Sequence, residues 1–435
     1  MAQPEKLAAE EWIKKGDQAV KEEMYEEAIQ LYTNAIEVNP RAAFAYFKRA
    51  DALAMIKLYK EALNDYNNAI LLNKDFSFAY FKRGIVYIEL RQFKKAIEDF
   101  TLSLKYNPDL HFAYYKRGYC LFVLRQFEEA IEDFDKTIEQ NPSYMLAHLY
   151  KANALFELKR YEEAIKEYSE VVALDGKNEK AFLTRGLAYA NLKKWNEALR
   201  DYSIAIELNP QNAIAYNYRG LIYSSQKKYE KAIEDFTKVI ELSPDNAEAY
   251  NNRGIAYFML KDYEGAILDY DRAIEIKPSA TLFFNRANAK FNRKRFIEAI
   301  IDYDKALEMD PKLTAVYYGR GNCNVYLENY KEALKDFTRA IAANPKYIPA
   351  YIARGNAFMK LKHYKKALED FTLAIEIKPE YAPAYLNRGI AYRAMDKIEF
   401  AVQDFMEYMR LHKGKDKTTL QIKAWLEKMG YTILD

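Results

Sequence analysis

One alanine returns along this chain at a nearly constant interval, and that interval limits the fold more than any other feature. It stands at Ala28, Ala62, Ala96, Ala130, Ala164, Ala198, Ala232, Ala266, Ala299, Ala333, Ala367 and Ala401. Ten of the eleven intervals are 34 residues and one is 33. A unit of that length cannot bury its own apolar face and must lean on the next, so a fixed period in this range predicts a stacked array.

With the alanine set as position 20, other columns fall into register. Position 24 is aromatic throughout, from Tyr32, Tyr66 and Phe100 to Phe405, and position 8 is glycine or alanine, as at Gly16, Ala50 and Gly84. Position 4 is mostly aromatic (Trp12, Tyr46, Tyr80), and position 17 is aromatic until Ile398 replaces it in the last unit. Proline closes most units at position 32, as at Pro40, Pro108 and Pro379. Small residues at 8 and 20 suit two helices in close approach, with rings filling the space around the contact. Proline ends the second helix because it lacks an N–H and forces its predecessor out of the helical region.

This pattern resembles the tetratricopeptide repeat over about residues 9–415. The resemblance implies an all-α fold, a right-handed superhelical solenoid of helix–turn–helix units whose concave wall is made by the first helix of each pair. It also implies that extended or helical peptides lie on that wall. The organisation expected is an N-terminal tail over 1–8, twelve repeats over 9–415, and a capping helix and tail over 416–435. The capping helix is expected at Thr418 to Met429, apolar at Leu420, Ile422, Trp425, Leu426 and Met429, with the apolar end Tyr431-Thr-Ile-Leu-Asp tucked beneath it.

Composition narrows the function. Lys+Arg of 66 against Asp+Glu of 63 gives no basic surface for nucleic acid. No run approaches the length of a membrane-spanning helix, and the first ten residues lack a signal peptide's basic start and apolar core. The two cysteines, Cys120 and Cys323, lie six repeats apart and read as reduced core thiols of a cytoplasmic protein. The histidines are scattered, with His148 standing in the aromatic column, and no metal, phosphate-loop or nucleophile motif occurs. The expectation is therefore a non-enzyme with no cofactor and no metal.

Position 7 is basic in all twelve units and position 23 acidic in units 2 to 12, for example Arg83 and Asp99. Twelve cations at constant pitch look like a phosphate track, but partly buried charges need opposite ones nearby, so an internal ion-pair ladder is the simpler reading. Which aspartate meets which arginine is not fixed by the columns.

Binding must use the face that packing leaves over. On the first helix, positions 2, 5, 9 and 12 cluster away from the packed positions 4, 7, 8 and 11, with position 6 beside them. In repeats 2 to 5, about 43–178, this face is aromatic and apolar: Phe44, Phe47, Phe78, Phe81, Ile85, Phe112, Tyr115, Tyr119, Phe122 and Leu149, rimmed by Lys48, Lys82 and Lys116. It reads either as a groove for an apolar or amphipathic segment bearing acidic groups, or as a wall packed for stability. In repeats 7 to 12, about 213–415, it turns to asparagine: Asn252, Asn285, Asn288, Asn322, Asn356 and Asn387. An amide offers donor and acceptor together, which suits gripping a peptide backbone.

A scaffold or adaptor for a protein or peptide partner follows, with self-association as an assembly factor and a co-chaperone as alternatives. The family's clamp for acidic chaperone tails takes Lys and Asn, then Asn, then Lys and Arg, at positions that here hold Ile13, Asp17, Lys48, Phe78 and Lys82. Only Lys82 keeps its charge there. The short interval falls in the loop Pro278-Ser279-Ala280-Thr281, and Lys290 and Asn324 interrupt the apolar seam just after it. A changed superhelical pitch and a tolerated deletion are both compatible with that.

Overall fold

The computed structural model describes residues 3–412, 414 and 416–431. Among these residues the chain is helical, with twenty-five helices and no strand. They fall into two compact units, Met1–Tyr218 and Arg219–Asp435. Each is a row of antiparallel helix pairs, such as Ser77–Glu89 with Phe93–Tyr106 in the first unit and Thr314–Tyr326 with Tyr330–Ala343 in the second. The first helix begins at Gln3, inside the segment read from sequence as a tail. Of the end expected to tuck under the last helix, Tyr431 is exposed, and residues 432–435 lie outside the described residues.

The turn inside each pair has one recipe. Position 15 sits in the left-handed region in all twelve repeats, and its occupants are Lys57 (φ 62°), Lys227 (φ 61°), Asp396 (φ 58°) and their equivalents, never glycine. Two backbone bonds hold it: Lys57 N–H donates to the Ala54 carbonyl (3.0 Å) and Leu58 N–H to the Leu53 carbonyl (2.9 Å). This is the Schellman ending of a helix, made here at the steric cost of a Cβ.

Between the two helices the alanine column is fully buried, and the position 24 ring lies across position 8. A Cβ on Gly84 would stand 2.8 Å from Phe100 Cε1, so the ring rather than the facing backbone demands the small residue. Neighbouring repeats join through small side chains, as where Ala69 meets Ala79. The ion-pair ladder is present, and its partners belong to the same repeat. Arg83 Nε and Nη2 fork onto Asp99 at 2.8 and 2.6 Å, while its Nη1 reaches Asn67 in the preceding repeat at 2.6 Å. Burial pushes the Asp99 carboxyl up against the pull of Arg83.

The missing residue near Ser279 is absorbed in the turn. Both flanking helices, Tyr263–Ile276 and Ala280–Asn292, keep the usual lengths, and the Ser279 hydroxyl caps the second at Leu282 N–H. Lys290 joins the ladder at Asp302 (2.8 Å), and Asn324 donates weakly to Asp336 (3.4 Å). The chain closes on a helix at Lys417–Lys428, capped by Asp416, with Ile422 and Leu426 buried beside Phe405.

Candidate functional site

In the first unit the aromatic face separates by position. Phe44, Phe78 and Phe112, at position 2, are exposed, and Leu146 continues the row. Position 5 behaves otherwise: Phe47 is 7% exposed and Tyr115 6%, lying 6.1 and 6.2 Å from the rings of Tyr66 and Phe134. This corrects the reading of Phe47 and Tyr115 as groove residues, for they belong to the core. Position 5 lies one turn further into the helix and meets its own repeat's second helix. Position 2 is in the first turn, where its ring is covered only in part, Phe44 by Phe47 and Phe76 and Phe112 by His111 and Tyr144.

Phe81 is half-buried on Phe100 at 5.8 Å, and Ile85 and Leu149 are half-buried too. Tyr119 and Phe122 pack on Tyr150 of the next repeat at 5.3 and 5.5 Å. The lysine rim is engaged as well. Lys48 pairs with Asp17 at 3.1 Å and lies over the Phe44 ring, Lys82 pairs with Asp51 at 3.7 Å, and Lys116 covers Tyr115. As a binding surface this region keeps a row of position 2 rings over a packed wall.

The second unit carries a cleft on the corresponding face. A cavity of about 320 Å³ is walled by Phe258, Phe284, Phe291, Tyr318 and Tyr347, with Asn288 and Asn322 on its lining. A second, of about 240 Å³, is lined by Tyr318, Asn322, Ile352, Asn356 and Tyr381. Tyr318 and Asn322 belong to both, so the two cavities adjoin across consecutive repeats. Gly319 opens the first cavity: it holds position 6, where every other repeat carries a side chain, from Ala353 and Thr184 to lysine, asparagine and tyrosine, and a Cβ there would strike the Tyr303 ring at 2.6 Å.

The asparagines differ in what they have left to offer. Where position 24 is tyrosine, its buried hydroxyl often donates to position 9: Tyr32 to Asp17 (2.7 Å), Tyr66 to Asp51 (2.5 Å), Tyr168 to Asn153 (2.7 Å) and Tyr303 to Asn288 (2.6 Å). Repeats 10 and 11 carry Phe337 and Phe371 instead, and Asn322 and Asn356 make no hydrogen bond among the described residues. Asn387 has none either. Asn285 donates to Asn251 (3.0 Å), which donates weakly to Asn252 (3.5 Å), and the chain of amides ends on a buried Asn252 Nδ2 with no acceptor. A buried donor left in that state costs about 1–3 kcal/mol.

Sequence reasoning named the asparagines but missed the ring walls, Phe258, Phe284, Tyr318, Tyr347 and Tyr381. Two of these had a signal: Tyr347 and Tyr381 precede a first helix at the column where Asn178, Asn212 and Asn246 stand in earlier repeats.

Elsewhere the titratable groups are structural. In repeat 5 the rung is rebuilt as Lys151 and Glu167 with His148 between Glu167 (2.7 Å) and the Pro142 carbonyl (3.0 Å). Hydrogen bonding to Glu167 raises the His148 pKa, against the opposing effect of burial. Cys120 and Cys323 are buried and unbridged, and burial pushes both thiols up to about 12. Among the described residues no cluster of ligands could hold a metal ion, and no helix is long and apolar enough to cross a membrane.

Family models described as tetratricopeptide repeats match residues 13–78 and 115–179, 77–110 and 280–313, and 179–212, 247–279, 314–347 and 348–381. Further matches cover 202–234 and 221–261. The chain belongs to the tetratricopeptide repeat family. Among solved structures it is similar to YrrB, described as a tetratricopeptide repeat protein with an unusual peptide-binding site, at 25% identity and a TM-score of 0.38, over 42% of this chain and 95% of that one. It is similar to yeast Tom70 at 18% identity and a TM-score of 0.40, over 97% and 95% of the two chains. It is also similar to a chain of the APC/C hetero-tetramer Cut9-Hcn1, at 13% identity and a TM-score of 0.44, over 94% of each. Comparison with curated proteins returned no match.

Proposed function

We propose that this chain is a non-catalytic scaffold that holds an extended peptide segment of a partner protein in the cleft of its second unit. Members of its family generally mediate protein–protein interactions. The observation that carries the assignment is the pairing of Asn322 and Asn356, side-chain amides without partners among the described residues, with two adjoining ring-bearing cavities, of which Asn322 lines both and Asn356 the second. The amides take the ligand's backbone, each with one donor and one acceptor, and the ring-walled cavities take its apolar side chains. Asn387 extends the polar track. The exposed rings Phe44, Phe78 and Phe112 are a secondary contact in the first unit. A cytoplasmic location belongs to this reading, and two unbridged thiols suit it.

A chaperone-tail reading has less support, because Asp17 and Lys82 are committed to neighbours within the protein. Self-association is the remaining alternative, which light scattering over a range of concentrations distinguishes.

The test is selection of peptides from a random library on the full chain, followed by calorimetry of the winners. Asn322→Ala with Asn356→Ala is expected to weaken them about tenfold or more, at roughly 1 kcal/mol for each hydrogen bond lost. Winners that bind the double variant as tightly as the parent would contradict the assignment.

A further inference from the structure

The repeats serve as their own control, and on the outer face of the second helices one pair of neighbours breaks the rule. Position 22 is polar or charged in ten repeats but is Leu268 in repeat 8 and Ile301 in repeat 9. Position 18 is polar or charged in eleven repeats but is Ile297 in repeat 9. All three side chains are out in solvent, 69% exposed at Leu268, 67% at Ile297 and 56% at Ile301. Nothing in repeat packing calls for them, since other repeats fold with Glu98, Glu132 or Lys335 at position 22.

Ile297 and Ile301 lie together, and Leu268 stands on the second helix of the preceding repeat. Ile297 and Ile301 are a turn apart on the helix Phe296–Met309, so they make a ridge along it. Leu268 is a turn beyond Glu264 on the helix Tyr263–Ile276, and Glu264 accepts from Arg293 (2.8 Å) and Arg295 (2.7 Å) in the turn that begins the next second helix. That bridge fastens the two stripes side by side at one end. Beside Leu268 the chain carries Gly265, where ten repeats have a charged residue, so the surface dips there.

We propose that this patch is a second docking surface, distinct from the cleft, and that its occupant is an amphipathic helix of a partner protein carrying acidic residues at one end. Beyond the first turn the main-chain groups of these helices are used within the helix, so an added strand finds no edge to pair with, whereas an exposed apolar ridge on a helix packs into the groove of another helix. Three side chains expose an area of only a few hundred Å², below the ~800 Å² per partner of a stable dimer, which disfavours a second copy. The charge is also placed: Lys261 and Lys294, at the turn end of the stripes, have no partner among the described residues, and one carboxylate serves both Arg293 and Arg295.

The test uses the full chain and a fluorescein-labelled helical peptide of about three heptads, with leucines at i, i+3, i+4 and i+7 and glutamates at one end. A peptide of the same composition in scrambled order is the control. The variant Leu268→Glu, Ile297→Glu, Ile301→Lys carries residues that other repeats hold at these positions, and its melting confirms that it folds. The parent is expected to bind the ordered peptide saturably and the scrambled one not at all. The triple variant should bind at least tenfold more weakly, and Asn322→Ala should bind as the parent does, which separates this surface from the cleft. Since both native cysteines are buried, Lys294→Cys can be labelled alone with a benzophenone, which should cross-link to the peptide. Equal binding by the triple variant, or no cross-link, would overturn the proposal. So would self-association, or flotation with phosphatidylserine vesicles, that the triple variant abolishes, since the occupant would then be a second copy or a lipid surface.

Discussion

Repeats 9 and 10 lie side by side, and both carry asparagine at position 9, yet the two amides do different work. Asn288 accepts the buried Tyr303 hydroxyl at 2.6 Å, whereas repeat 10 has Phe337 in the tyrosine's column and the Asn322 side chain makes no hydrogen bond among the described residues. The difference is one phenolic oxygen on the opposite helix. The first unit shows the former arrangement in acidic form, where Asp17 and Asp51 each take a tyrosine hydroxyl and a lysine from the next repeat. A residue on a repeat surface is thus available to a ligand only when the column facing it leaves it free.

The largest effect should come from comparing the ladder between units. Asp99→Ala leaves Arg83 with only Asn67 as a polar partner, and a loss of about 3 kcal/mol is expected from a stranded, mostly buried charge. Asp336→Ala should cost clearly less, because Arg320 keeps Asp304. Urea unfolding of both variants checks this, and equal losses would mean that Asp304 gives Arg320 no support.

Next is the comparison within the second unit. Asn288→Leu removes the acceptor of a hydroxyl that is almost wholly buried, at an expected cost of about 1–3 kcal/mol, while Asn322→Leu should stay within about 0.5 kcal/mol. Similar melting temperatures for the two variants would break the distinction between a structural and a free amide.

A smaller effect concerns the rebuilt rung of repeat 5. A neutral imidazole has one N–H and could serve only one of the two acceptors around His148, so the native state favours the charged ring. Its pKa is raised, so its contribution is complete below the unfolded value of about 6.5 and is lost as pH climbs through the native value. Melting from acid to alkaline pH should show the parent losing stability relative to His148→Phe as pH rises. A gap that widens with pH would reverse the assignment. Smallest is Lys227→Gly, expected to stabilise by roughly 0.5–1 kcal/mol by relieving a left-handed residue, with thermal melting as the readout.

Much of this was legible in the residues, and the limits are physical. Period and columns identified the helix pairs, and the loss of one residue before Ala280 located a turn that the structure shows shortened while its helices keep their length. The ladder's existence followed from Arg83, Asp99 and their equivalents. Its pairing did not, because a strictly periodic sequence reads the same whether partners share a repeat or straddle two. The helical wheel put Phe44 and Phe47 on one face, but it has no information on how far the adjoining helix covers that face. The tie between Tyr303 and Asn288 was present as paired changes in two columns, which reading one column at a time does not reveal.

In the proposed function, Asn322 and Asn356 are free to hold a ligand because the rings in the facing column, Phe337 and Phe371, lack a hydroxyl. The most direct measurement is calorimetry of the library-selected peptide against the double variant Phe337→Tyr, Phe371→Tyr. This change adds two oxygens at buried positions and leaves every residue lining the cleft unaltered. The account predicts a melting temperature at or above that of the parent and peptide affinity reduced several-fold, as each new hydroxyl occupies an amide oxygen. Unchanged affinity in a folded double variant would contradict it.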